Sequence, residues 1–258
     1  MLANIKHQGK TFTVNLHQPI DISLPLRSGK DNVNAWYVDE VKIDPVISEY
    51  FIGDVNMGGA VNFRNITFNP HGNGTHTECV GHISKEKYYI NNELKNFFFI
   101  ARLVSISPEI KSDGDKVITL NQIKEYSLLC SQTGLSAEAF IIRTLPNNEE
   151  KKIRQYSNTN PPYVEKEAMP YLTKNGIHHL LIDLPSIDRE FDEGKLSAHH
   201  SFWQYPENSQ IHRTITELIF IPDYVEDGFY FMNLQIASFE NDATPSKPVL
   251  FRLESEYK

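Results

Sequence analysis

At 258 residues, 40% hydrophobic and 22% charged, the chain has an ordinary globular composition and enough length for a core that needs no staples, within the reach of one domain. Its 25 basic and 33 acidic residues give a formal charge of −8, which argues against a phosphate-backbone partner and so against nucleic acid. No apolar stretch is long enough to span a bilayer, the opening residues are too polar for a signal peptide, and Cys79 and Cys130 have no CxxC partner. The expectation is one cytoplasmic domain with no membrane association, no disulfide framework and no cysteine zinc cluster.

In chain order, residues 11–15, 21–24, 34–41 and 63–68 are short, rich in Val, Ile, Phe and Tyr, and separated by Pro, Gly and Asn, a pattern that predicts strands. Residues 97–106 form a longer apolar run closed by Ser107 and Pro108, which favours a buried strand over a helix. Residues 120–129 show helical spacing, with Asn121 as the cap. Residues 139–143 predict another buried strand, and residues 164–175 a helix ended by Gly176 and either kinked or shortened at Pro170. Strands at 179–183, 217–221, 228–237 and 249–253 complete the set. Residues 146–162 crowd Asn, Lys, Glu and Pro without a period and predict either a lid over a site or a disordered segment. Many strands with few helices point to an α/β or α+β domain built on a mixed sheet.

Chemistry concentrates between His71 and His82, where three histidines and Glu78 share one glycine-rich stretch. In extended backbone His76, Glu78 and His82 have the same parity and face one side. Imidazole and carboxylate suit zinc or manganese, and the lack of thiolate removes a closed structural zinc site, leaving an open catalytic one. Taken alone, the H-x-E spacing also fits solvated loop histidines. Cys79 has the opposite parity and should face the core. No G-x-S-x-G elbow, P-loop or dinucleotide fingerprint is present.

The stretch resembles the H-x-G-T-H-x-D-x-P-x-H hallmark of the metal-dependent cyclase family, which includes bacterial kynurenine formamidase and isatin hydrolase, through Gly74, Thr75, His76, Glu78 and His82. Further matches follow in order: Asp21 to Leu26 resembles D-[LI]-S-x-P-L, and Ile141 to Thr144 the internal I-R-T strand. Ile182 to Asp188 is similar to I-D-x-P-S-[VL]-D, Ala198-His199-His200 to A-H-H, Glu217-Leu218 to the late glutamate, and Asn241 to Pro245 to the D-x-S-P turn. The resemblance implies a single domain with a mixed, barrel-like β-sheet and flanking helices, of the swivelling β/β/α type. It also implies metal ligation by His76, Glu78, His199 and Glu217, with His82 as the acid/base.

Three positions depart from the pattern: Glu78 replaces aspartate, Val80 replaces proline, and Gly72 stands where a metal-binding histidine is expected. A longer carboxylate arm at Glu78 is tolerable. At Gly72 the alternatives are that His71 swings in as a ligand, that water takes the place, or that metal binding has been lost.

The implied activity is metal-dependent hydrolysis of an amide-type C–N bond in a small molecule, such as an N-formyl aryl amine, lactam or cyclic amide. A zinc or manganese ion would acidify water, and imidazole, which ordinarily titrates near neutrality, suits His82 to proton transfer. The alternative is a non-catalytic small-ligand-binding relative without metal. Trp36 is either a substrate contact or core filling, and Phe63 and Phe68 are either further apolar wall or core filling. His178 and His179 are expected against helix-end carbonyls or solvent, His200 in packing or hydrogen bonding, and His7, His17 and His212 at the surface. The resemblance also implies a homodimer or higher homo-oligomer.

Overall fold

The computed structural model describes residues 1–131 and 134–255, the side chains at 128–131 and 255 excepted, so the Cys130 thiol lies outside the described residues. Its centre is built by runs of β-branched and aliphatic residues that can be buried on both faces. We label the strands β1 (His76–Glu78), β2 (Phe98–Ile106), β3 (Ala139–Thr144), β4 (His179–Ile182), β5 (Thr214–Glu217), β6 (Gly228–Ile236) and β7 (Ala243–Arg252). β2, β3, β4 and β5 pair in parallel. The antiparallel strands β1, β7 and β6 close the set into a seven-stranded mixed barrel.

Parallel neighbours need crossover connections, and helices supply them. α1 (Leu120–Ser131) joins β2 to β3, α2 (Ala168–Lys174) joins β3 to β4, and α3 (Ser197–Trp203) joins β4 to β5. Strand alternation then sorts the core into two. Leu103, Ile141 and Leu181 lie in register and fill the barrel interior, whereas Val104, Ile142 and Ile182 face outward onto Ile123, Met169, Leu172, Phe202 and Trp203 of the helices. Cys79 falls in the interior cluster, as its parity requires, and burial pushes its thiol up to about 12.

Several expected elements move. Residues 34–41 form no strand: Trp36 and Tyr37 take left-handed φ angles of 60° and 59°, a turn that aromatic content alone did not reveal. Residues 21–24 contribute only the end of a short strand, Ile20–Asp21. β5 runs earlier than 217–221 because Leu218, at φ 54°, breaks the extended path. α2 starts at Ala168, so Pro170 sits in its first turn, where a missing N–H costs nothing and no kink follows; Gly176 ends the turn at φ 83°. The cap of α1 is Thr119, not Asn121: its hydroxyl accepts from Gln122 N at 3.3 Å while Gln122 Oε1 accepts from Thr119 N at 3.1 Å.

Residues 146–162 are anchored at three buried positions, Lys151, Tyr156 and Pro161, and so are not a disordered segment. Lys151 is buried with its ammonium 2.8 Å from Asp183, Tyr156 is 2% exposed, and Tyr156 N donates to Asn34 O at 2.7 Å. No helix among the described residues is long and apolar enough to cross a membrane.

Candidate metal centre

β1 and β5 run antiparallel with His76 opposite Glu217 and Glu78 opposite Ile215, so His76, Glu78 and Glu217 share the barrel's outer wall. α3 packs against that wall and brings His199 over it. His199 Nε2 lies 3.0 Å from Glu78 Oε1 and 3.7 Å from Glu217 Oε1, and His76 Nε2 lies 3.5 Å from Glu217 Oε2. All four side chains are essentially inaccessible: His76 and Glu78 at 0%, His199 at 1% and Glu217 at 3%. Residues distant in the chain therefore converge.

His82 arrives by a different route from the one its parity suggested. The extended strand ends at Glu78, and Val80–His82 is a 3-10 turn, yet that turn still carries His82 Nδ1 to 3.7 Å from Glu78 Oε2. His71 comes from a helical turn, Pro70–Asn73, whose first N–H groups are capped by Asn69 Oδ1. Its Nδ1 lies 3.2 Å from Glu78 Oε2 and its Nε2 2.8 Å from Asp242 Oδ2. Gly72 is pressed against residues 35–38, where an added Cβ would lie 2.5 Å from Val38 Cγ2 and 2.8 Å from Ala35 O. No side chain fits there.

Hydrogen bonds fix which nitrogens face inward. His76 Nδ1 donates to Gly74 O at 3.0 Å, which turns the Nε2 lone pair toward Glu217. His199 Nδ1 donates to Asp188 Oδ2 at 2.6 Å, and the same carboxylate accepts from the N–H groups of Ala198 and His199, so Asp188 both caps α3 and orients the ring. Glu217 Oε1 accepts from Ile187 N at 3.0 Å. Against that order, two buried atoms, His76 Nε2 and Glu78 Oε2, have no hydrogen-bond partner. These buried atoms face one another's lone pairs, which is unfavourable unless a cation lies between them. The nitrogen and oxygen donors fit a divalent cation. Triads His71/His76/Glu78, Glu78/His82/His199 and His71/His82/Asp242 each bring ligand atoms within 4.8 Å of one another.

The electrostatics repeat the point. Burial disfavours a charged His199, but Asp188, Glu78 and Glu217 outweigh it and hold the imidazole well above its ordinary pKa. Burial likewise opposes ionised Glu78, and His82, His199 and His71 prevail, keeping it well below the carboxylate range. His71, desolvated but flanked by Asp242 and Glu78, is raised to about 10.

A cavity of about 390 Å³ opens onto the cluster, lined by Trp36, Val38, Pro185 and Leu196 as well as by His71, His82, His199 and Glu217. Trp36 donates through Nε1 to Pro185 O at 3.3 Å. Phe63 and Phe68 are not wall: Phe63 packs on Phe51, 59% exposed, and Phe68 lies against Phe239. His179 is not at a helix end but on β4, bonded to Thr214 Oγ1 at 2.9 Å. His200 Nδ1 bonds Tyr205 O at 3.0 Å, His7 Nε2 lies 3.2 Å from Ser136 O, and His212 is exposed beside Glu93 at 3.4 Å. Asp188 and Asp242 each lie inside a run that carries the resemblance, but spacing along the chain gives neither a role.

Residues 20–189 match the profile of the family Cyclase, described as "Putative cyclase". Kynurenine formamidase of Bacillus cytotoxicus is 27% identical over 233 residues, covering 90% of this chain and 96% of the relative, and that of Bacillus thuringiensis is 26% identical over the same shares. Among solved structures, isatin hydrolase A from Labrenzia aggregata superposes with a TM-score of 0.66 at 13% identity, over 92% of this chain and 94% of its own. A "predicted metal-dependent hydrolase" from Bacillus stearothermophilus gives 0.58 at 17% identity, over 91% and 98%. At these identities the structural likeness speaks for the fold.

Proposed function

The chain belongs to the cyclase family, and from that premise we propose that it is a metal-dependent hydrolase that cleaves an amide-type C–N bond in a small molecule. The observation that carries this reading is the convergence of His76, Glu78, His199 and Glu217 with two of their buried ligand atoms left without a hydrogen-bond partner. These four side chains would hold a zinc or manganese ion. When bound, such an ion supplies Lewis acidity and lowers the pKa of water toward neutrality.

The remaining work falls to side chains. His82, half-buried at the cavity edge and 3.4 Å from Asp242, takes the proton of the attacking water and returns it to the departing nitrogen as the C–N bond breaks. Asp188 keeps the His199 ring in one orientation throughout. Trp36, Val38, Pro185 and Leu196 form an apolar wall that suits the flat body of an aryl formamide, lactam or cyclic amide and excludes water from it. The relatives named kynurenine formamidase support the amide class.

Two measurements test the reading: elemental analysis of the purified protein, and a panel of aryl formamides, lactams and cyclic imides assayed with and without added zinc or manganese. About one or more equivalents of metal and hydrolysis of a panel member are expected. Gly72, which leaves one ligand position without a side chain, favours a second reading, a small-ligand binder that holds no metal. Metal-free protein whose melting is unchanged by chelator would establish that reading instead.

We also propose self-association. The hairpin formed by Lys42–Pro45 and Arg64–Thr67 leads an excursion that exposes Ile47, Tyr50, Met57 and Phe63, apolar side chains of the kind a second copy covers. Sedimentation of the wild type and of Phe63→Ser tests it; a monomer in both cases ends the idea.

A further inference from the structure

Among the histidines around Glu78, His71 is placed by a tightly held local turn. Pro70 opens its turn, Asn69 Oδ1 accepts from the N–H groups of both His71 and Gly72, and Ala35 N donates to Gly72 O at 2.9 Å. The turn is therefore pinned at both ends. Position 72 packs directly against Ala35 and Val38 and has no room for a side chain, so the residue able to reach inward from this turn is His71.

Its two nitrogens face different partners. Nε2 bonds Asp242 Oδ2 at 2.8 Å, and Nδ1 points at Glu78 Oε2, the buried oxygen without a hydrogen-bond partner, 3.2 Å away. Nδ1 also falls in one group with ligand atoms of His76 and Glu78, all within 4.8 Å of each other. The arrangement repeats that of His199, whose outward nitrogen bonds Asp188 and whose inward nitrogen faces Glu78. Asp242 is itself well anchored. Its carbonyl accepts from Cys79 N at 3.0 Å, and the next residue, Ala243, pairs with Glu78 across the β1–β7 ladder.

Resting on the metal-dependent reading above, we propose that His71 is a cation ligand through Nδ1 and that Asp242 is the positioning residue that fixes its ring, as Asp188 does for His199. Carboxylate–histidine–metal relays of this kind orient the ring and raise its basicity as a ligand, and losing the outer carboxylate typically weakens metal affinity about 10- to 100-fold. The competing description is a partly buried ion pair in which His71 simply bridges Glu78 and Asp242 and never meets a metal.

Cobalt(II), added to the chelator-stripped full-length protein, separates the two through its visible absorption and its affinity, with no assay of turnover. The proposal expects His71→Ala to weaken cobalt binding by about 100-fold or more and to change the spectrum, with added imidazole restoring both. Asp242→Asn should weaken binding about 10- to 100-fold while keeping the spectral shape of an unchanged ligand set, and Asp242→Glu should recover most of the loss. Circular dichroism of each stripped protein reports folding, and His71→Gln replaces His71→Ala if the latter does not fold. A His71 variant that binds cobalt with wild-type affinity and spectrum overturns the ligand role, and wild-type affinity in Asp242→Asn overturns the positioning role. A wild type that takes up no cobalt sinks both the inference and the reading it rests on, so the two failures are distinguishable.

Discussion

His179 and His199 are both buried against strands of one barrel, and the chain treats them in opposite ways. His179 sits at the start of β4, facing the interior, with Thr214 as its polar partner and Phe99 against its ring at 4.0 Å between centroids. Burial lowers its pKa to about 3, so it remains neutral. His199 lies on the outer wall with Asp188, Glu78 and Glu217 around it and is pushed the other way. Burial alone makes an imidazole an inert hydrogen-bonding filler. Burial with converging carboxylates makes a place where positive charge is demanded, and that difference separates the two histidines.

Glu78 is the carboxylate shared by His71, His82 and His199. Glu78→Gln should abolish metal uptake and cost about a thousandfold or more in turnover, the several kcal/mol associated with a lost Lewis acid, as read by elemental analysis and kcat. Asp188→Asn leaves the donor atoms in place and should weaken metal affinity about 10- to 100-fold, measured by competition with a chromophoric chelator. Gly72→Ala forces a methyl group against Val38 and Ala35 and should destabilise the fold by about 1–3 kcal/mol in urea titration.

As pH changes, the two histidines contribute to stability with opposite sign. His179 has a folded pKa below its unfolded value, so its contribution is present above pH 6.5 and is lost as pH falls toward about 3, at no more than about 1.4 kcal/mol per pH unit. His199, and His71 at about 10, have raised values in the metal-free protein, so theirs is complete below pH 6.5 and lost as pH rises through the folded pKa. His179→Gln should flatten the acid side of a stability profile and leave the alkaline side unchanged. The smallest effect belongs to His212→Ala, exposed beside Glu93, which should stay within about 0.5 kcal/mol of wild type in the same urea titration.

The sequence revealed the barrel strands best where apolar runs were long and bounded by breakers. β2 and β3 were recoverable from composition alone, since a strand buried on both faces shows a continuous hydrophobic run. The segment at 34–41 was not, because Trp36 and Tyr37 look strand-forming yet sit in left-handed turn conformations that their side chains do not announce. The central histidines and glutamates were legible through a short motif and ordered matches. Asp188 and Asp242 were not, because a carboxylate's role as an orienting partner depends on what the fold lays beside it, and no spacing along the chain records that.

One consequence follows from the pairing of His76 with Glu217 across β1 and β5. Directly opposed residues on neighbouring strands are spaced by the ladder itself, at about 5 Å between Cβ atoms, a ruler that loop rearrangement does not stretch. The rim, by contrast, is made of turns around Trp36 and Leu196 that lie outside that ladder. The ionic heart of the molecule is therefore dimensioned by strand pairing, and its mouth by turns.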